Sequence, residues 1–143
     1  MVNNAINVSA YEGVPPTEVG NVRSLITGGP LYRVEEVLAL LAKGDSKTNL
    51  WTRKCIRDVE RLAFDIADVR ELLKQALTSG TYINSEWCVQ KPTGPWAACD
   101  SYRLFRDEWN DHAYRNIGYE YYVKFAIGKT GKLLLLISCH LSQ

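Results

Sequence analysis

The sequence predicts an α+β protein in which three N-terminal helices pack on a mainly antiparallel sheet of about four strands. Two observations support this fold class. Apolar residues recur at helical spacing between positions 34 and 77, and from about Glu86 onward they follow the pattern of strands. A chain that places helices before strands typically packs those helices on one face of an antiparallel sheet. The length of 143 residues suits a single domain with its own core.

The three predicted helices are each delimited by local signals. The first spans 34–41, has one apolar face and ends at Gly44. Thr52 is a suitable N-cap for the second helix, over 52–64. Asp65, with Asp68 three residues later, forms a capping pair for the third helix, over 65–77.

Strand-like runs follow at 87–90, 96–105, 119–127 and 132–140, and the last two form a β-hairpin around a glycine-containing turn. Strand alternation assigns two faces to 119–127. One face is wholly apolar and is predicted to enter the core: Tyr121, Val123, Phe125 and Ile127. The other face carries polar chemistry: Glu120, Tyr122, Lys124 and Ala126. The polar segment 106–118 is predicted to be a loop.

The composition and the positions of turn-forming residues suggest the domain limits and the cellular location of the protein. Residues 1–30 are rich in turn formers and are predicted to be an N-terminal arm, ahead of a domain over 31–143. The net charge of +1 gives no overall field that would attract nucleic acid. The sequence shows no signal peptide, and its longest apolar run is far shorter than the ~20 residues of a membrane helix. The four cysteines lack a CxxC pair, so we expect free thiols and a cytoplasmic protein.

Three short motifs lie in the predicted sheet: Asp-Ser-Tyr-Arg at 100–103, Tyr-Val-Lys at 122–124 and Leu-Leu-Ile-Ser-Cys-His at 135–140. With the order of the helices, they resemble the MqsR toxins of bacterial toxin–antitoxin modules over residues 32–140. The resemblance implies a RelE-like fold and a ribosome-independent endoribonuclease that cuts messenger RNA without a metal or other cofactor. It also implies a cognate antitoxin that neutralises the enzyme.

The functional positions of that family are only partly matched. The family tyrosine matches Tyr122, and the lysine two positions on matches Lys124. The terminal-strand lysine of the family falls on His140, its sheet glutamine near Cys99, and a lysine after the third helix near Asn84. Three readings follow from the resemblance: a distant branch with a different site, a shifted register, or a protein that has lost the activity.

RNA cleavage without a metal needs a base for the 2′-OH, a cation for the phosphate and an acid for the leaving oxygen. The candidate catalytic residues are Tyr122, Lys124, His140 and Arg103. Lys124 and Arg103 suit the cationic role. His140 is the natural acid or base, with an ordinary pKa of about 6.5. Tyr122 can position the ribose, stack on a base or donate a proton.

Four further residues are predicted to contact RNA: Tyr102, Trp109, Tyr114 and Lys132. Trp109 and Tyr114 lie in the polar segment 106–118, where aromatic rings can stack on bases. Exposed aromatic side chains can equally mark a surface that an antitoxin buries. Strand alternation also leaves open whether Asp100 and Tyr102, or Cys99 and Arg103, face the site.

Other functions compete with the nuclease. The main alternative is a catalytically silent protein- or RNA-binding module of the same fold, which the changed family positions and the near-neutral charge favour. A phage-defence or counter-defence protein of unrelated activity is a third possibility. Neither a cysteine nucleophile nor a zinc site is expected, because no base-containing motif or paired ligand spacing accompanies the scattered cysteines and histidines.

Overall fold

A computed structural model describes residues 6–16 and 24–141, with side chains described up to residue 135. Within these residues the chain forms three α-helices: α1 (Val34–Ala42), α2 (Arg53–Arg61) and α3 (Ile66–Ser79). It also forms six strands: β1 (Leu25–Ile26), β2 (Thr48–Leu50), β3 (Thr81–Val89), β4 (Trp96–Asn110), β5 (Arg115–Ile127) and β6 (Leu133–Leu141). None of the described helices has the length and apolar character needed to cross a membrane.

The predicted arrangement of these elements is wrong in two respects. Strand β1 precedes α1 and β2 lies between α1 and α2, so the helices are interspersed among strands rather than all N-terminal. The described strands form one sheet of six, in the order β1-β3-β4-β5-β6-β2, and β2 runs parallel to β6. The two extra strands have only two and three residues, too few for alternation to reveal them. The RelE-like layout expected from the resemblance is therefore not the architecture of this chain.

The starts of α2 and α3 follow from the local signals in the sequence. The Thr52 hydroxyl accepts a hydrogen bond from the Cys55 amide at 3.1 Å, which makes Thr52 the N-cap of α2. Asp65 and Asp68 exchange side-chain to backbone hydrogen bonds of 2.8 and 2.9 Å in a capping box that begins α3. Both predicted helix starts are confirmed.

The helices cover one face of the sheet, and the apolar side chains of β5 enter the core beneath them. Tyr121 and Phe125 are almost fully buried, as strand alternation predicted. Phe64, in the connection between α2 and α3, stacks on Tyr121 with ring centroids 6.1 Å apart. Leu72 and Leu73 of α3 belong to the same buried cluster. The assignment of this β5 face to the core is confirmed.

A buried carboxylate joins the start of α1 to the sheet. Asp100 of β4 is fully buried and accepts hydrogen bonds from the amides of Leu31 and Tyr32 at 2.9 and 3.0 Å. The Ser85 hydroxyl of β3 donates to the same carboxylate at 2.6 Å. Hydrogen bonds to an ionised acceptor are stronger than neutral ones, so this residue fixes where the chain enters α1.

Part of the N-terminal arm docks on the sheet. Isolated bridges join Asn7 to Trp96 and Ser9 to Gly128, so residues 6–10 lie between the start of β4 and the end of β5. The Ser9 hydroxyl also accepts a hydrogen bond from the Ala98 amide at 3.0 Å. Residues 1–5 and 17–23 of the predicted arm lie outside the described part of the chain.

Strands β4 and β5 project beyond their neighbours as a long hairpin. In the described pairing, β3 accompanies β4 only to Arg103 and β6 accompanies β5 only from Tyr119, while β4 and β5 stay paired to Asn110 and Arg115. We call residues 104–118 the hairpin arm. The prediction of a loop over 106–118 is wrong, because only 111–114 form the turn. The segment lacks the apolar alternation of a core strand because the positions that face the protein include Arg106 and Glu108, which pair with each other.

Candidate active site on the open sheet face

We call the face of the sheet opposite the helices the open face. Directly paired residues of neighbouring strands present their side chains on the same face. The register of β3, β4 and β5 gives four neighbouring rows on the open face: Glu86 and Cys99; Asn84, Ser101 and Lys124; Thr81, Arg103 and Tyr122; Phe105 and Glu120. The choice that alternation left open is thereby resolved, because Cys99 and Arg103 share the open face, while Asp100 and Tyr102 lie on the helix side.

Arg103, Glu120 and Tyr122 form a polar group on this face, which we call the Arg103 cluster. The Arg103 Nε atom lies 3.8 Å from a carboxylate oxygen of Glu120. The Tyr122 hydroxyl donates a hydrogen bond to Glu120, and this bond, more than the accompanying loss of solvation, raises the pKa of Tyr122. Arg103 offsets the rise only in part. Tyr122 therefore remains a protonated hydrogen-bond donor and is unsuited to act as a base.

Lys124 lies one row away and is held by a buried carboxylate. Its ammonium donates a hydrogen bond to Glu86, whose side chain is 8% exposed, while that of Lys124 is 29% exposed. Burial lowers the pKa of Lys124, but Cys88 and Glu86 favour the ammonium more strongly, so the pKa is raised overall. Lys124 is therefore a fixed positive charge at neutral pH rather than a proton acceptor.

Three buried polar atoms beside these charges have no hydrogen-bond partner within the described part of the chain: Asn84 Oδ1, Ser101 Oγ and Arg103 Nε. Asn84 and Ser101 are cross-strand neighbours, and Ser101 is in turn opposite Lys124. Buried polar atoms in folded proteins nearly always have a partner.

The other predicted contact residues are dispersed. Tyr102 is only 4% exposed and stacks on Phe125 in the core, and burial raises its pKa, so its position does not fit an RNA contact. Trp109 and Tyr114 lie on the hairpin arm and are 58% and 81% exposed. Lys132 is exposed in the turn between β5 and β6, at the end of the sheet opposite the hairpin arm.

Glu120 is the site residue that the sequence reasoning missed, and His140 is its backbone neighbour. Strand alternation had already placed Glu120 on the face of Tyr122 and Lys124, but Glu120 was not among the predicted catalytic residues. The register pairs the backbone of Glu120 with that of His140 in β6. The side chain of His140 lies outside the described residues. The proximity of Glu120 to Arg103 could not be predicted from the sequence, because it depends on the β4–β5 register.

The cysteine on the open face does not provide a nucleophile. Cys99 is fully buried, and burial, followed by its interaction with Cys88, raises the pKa of its thiol well above the ordinary value. A protonated, buried thiol is unreactive. Among the described residues, no group of three or more histidine, cysteine, aspartate or glutamate side chains is arranged to hold a metal ion.

The open face thus offers a cation, a carboxylate and a phenol in contact, with unfilled polar positions alongside. No protein-family model, no curated protein and no solved structure matches this chain. The likeness to MqsR toxins stays a prediction from short motifs, and the function has to be inferred from the chemistry of these side chains.

Proposed function

We propose that this protein is a ribosome-independent endoribonuclease that cleaves messenger RNA without a metal ion, by attack of a ribose 2′-OH on the adjacent phosphate. The observation that carries the proposal is the Arg103 cluster, which joins a carboxylate, a guanidinium and a phenol on the sheet face opposite the helices. The resemblance of residues 32–140 to MqsR toxins implies the same reaction. DNA lacks the attacking hydroxyl and would not be cut.

The roles follow from what each group can do. Glu120 accepts the proton of the 2′-OH as general base. Arg103 binds the phosphate oxygens and stabilises the charge that develops on them. Tyr122, kept protonated by its hydrogen bond to Glu120, orients that carboxylate. His140, whose backbone pairs opposite Glu120, protonates the leaving 5′ oxygen. The products are a 2′,3′-cyclic phosphate and a 5′-hydroxyl.

A neighbouring cation assists the reaction without exchanging protons. Lys124 adds a fixed positive charge one row from Arg103, which favours a bound phosphodiester. In line with the resemblance to MqsR toxins, we also propose a cognate antitoxin that binds the folded enzyme and blocks it. Toxicity on expression that a co-expressed neighbouring protein relieves would test that partner.

A catalytically silent binding module is the second candidate, and one observation favours it. Each described cation of the site faces a carboxylate: Arg103 faces Glu120, and Lys124 faces Glu86. These pairs reduce the positive potential that would draw RNA to the open face. A module of this kind would bind protein or RNA but leave RNA intact.

The test is incubation of mixed-sequence RNA with the purified protein in excess EDTA. Wild type should give 2′,3′-cyclic phosphate ends, and Glu120→Gln should lower the rate by about 100-fold or more, the usual effect of losing a general base. Arg103→Ala and His140→Ala should also lose activity. Glu35→Gln is the matched control, because it removes the same charge from a well-exposed position on α1.

Three outcomes would overturn the proposal in whole or in part. Intact RNA with the wild-type protein would bring the binding module to first place. Cleavage by wild type that survives Glu120→Gln at an unchanged rate would retain the nuclease but remove the Arg103 cluster as its site. Cleavage that stops in EDTA would show that the enzyme needs a metal ion.

A further inference from the structure

The hairpin arm extends the open face away from the Arg103 cluster. Alternation along β4 puts Arg103, Phe105, Asp107 and Trp109 on one side of the strand, and the observed exposure alternates accordingly. Phe105 and Trp109 are 59% and 58% exposed, an unusual state for large aromatic rings. The opposite side of the hairpin arm is engaged with the protein, since Arg106 donates to Gln75 of α3 at 3.1 Å.

Each ring is held by a neighbour. The Arg103 guanidinium lies over the Phe105 ring, 5.5 Å from its centroid. The indole of Trp109 donates to Asp111 at 2.8 Å and meets the Tyr114 ring edge-on, at 6.4 Å and 83°. Side chains that are already restrained lose little entropy when a ligand binds.

We infer that single-stranded RNA next to the cleavage point lies along the hairpin arm, with unpaired bases stacked on Phe105 and Trp109. This inference rests on the proposed function, because the Arg103 cluster defines which end of the strand is cut. The two rings are four residues apart in β4, or about 13 Å at the rise of an antiparallel strand. That distance exceeds the ~3.4 Å step between stacked bases, so the two rings receive different bases.

The separation of the exposed rings on the hairpin arm favours RNA over a protein partner. Between Phe105 and Trp109 lies Asp107, and its partner in β5 is Gly118, which has no side chain. A protein-docking surface is typically a contiguous apolar patch with a packed centre. Separate rings with a polar residue and a bare stretch of backbone between them suit a stacking platform, which needs a flat ring for each base. The arm is also continuous with Arg103, the phosphate-binding residue of the proposed site.

The probe for this inference is a short 2′-O-methyl RNA of mixed sequence, which cannot be cleaved because its nucleophile is blocked. We expect Phe105→Ala and Trp109→Ala each to weaken its binding about ten-fold, measured by fluorescence anisotropy. Trp109→Phe keeps a ring and should retain most of the affinity. Leu25→Ala is the matched control, because Leu25 is equally exposed at 58% but lies on β1 outside the hairpin arm. The same strand annealed to its complement should bind weakly and be indifferent to both alanine variants.

The outcomes separate this inference from the proposed function. Unchanged affinity of both alanine variants, or equal losses for single and double strands, would overturn the stacking platform and leave a protein-binding surface in its place. RNA binding that depends on the two rings, in a protein that cuts no RNA, would retain the platform and reject the nuclease. Normal melting curves of both variants would exclude misfolding as the cause of any loss.

Discussion

Replacement of Lys124 by methionine tests whether this lysine serves the fold or the reaction. The change removes the ammonium that faces Glu86, a carboxylate only 8% exposed. Removing one partner of a buried ion pair costs about 3–5 kcal/mol, because the remaining charge loses its compensation. The Lys124 side chain is 29% exposed, so water reaches the pair and the lower end, about 3 kcal/mol, applies. For a domain of this size the melting temperature should fall by roughly 10 °C.

The assay is equilibrium urea unfolding of wild type, Lys124→Met and the double variant Lys124→Met with Glu86→Met. Replacing both members of a buried pair with apolar residues of similar volume is often neutral, so the double variant should recover to within about 1 kcal/mol of wild type. If Lys124 contributes only positive electrostatic potential at the site, the double variant should also keep most of the RNA-cleavage activity. A single variant as stable as wild type would refute the structural role. A stable double variant without cleavage would give Lys124 a direct role in the reaction.

Three further predictions concern stability and reactivity. Asp100→Ala removes an acceptor shared by two amides and a hydroxyl, and it should cost at least ~3 kcal/mol in urea unfolding; wild-type stability would contradict this. The raised thiol pKa of Cys99 predicts no alkylation by iodoacetamide until the protein unfolds, checked by site-resolved mass spectrometry. The raised pKa of Lys124 predicts that the stability difference between wild type and Lys124→Met is complete below pH 10.5 and disappears as the pH rises through the folded-state pKa. A difference that grows with pH over this range would contradict the assignment.

The helix starts and the C-terminal hairpin could be predicted from the sequence because the residues that determine them are close together in the chain. Thr52 and Asp65 cap helices through hydrogen bonds to amides three residues later, and such bonds depend on sequence spacing alone. The alternation of apolar and polar residues around Tyr121 likewise indicates which side of one strand is buried. Strand β2 was missed because its three residues pair with β6, which starts at Leu133, and no local pattern records that contact.

Only part of the candidate site could be predicted from the sequence, because the rest depends on contacts between distant segments. The face shared by Glu120, Tyr122 and Lys124 follows from alternation within β5. Arg103 joins them only through the β4–β5 register, and Glu86 reaches Lys124 across 38 positions of sequence. The mistaken loop at 106–118 has another origin. Arg106 and Glu108 face the protein but are charged and pair with each other, so the segment shows no apolar stripe.

The two cations of the open face differ in what it costs to release them, and this difference bears on the choice between nuclease and silent module. Arg103 is 42% exposed and lies 3.8 Å from Glu120, a loose pair of the kind that contributes about 0–1 kcal/mol. In the proposed mechanism, a phosphate takes over the guanidinium at little cost, and Glu120, still hydrogen-bonded to Tyr122, accepts the proton. Lys124 is bound to a buried carboxylate and is costly to release. The neutralisation that argues against catalysis thus holds for Lys124, while the looser pair of Arg103 and Glu120 is compatible with the proposed cleavage.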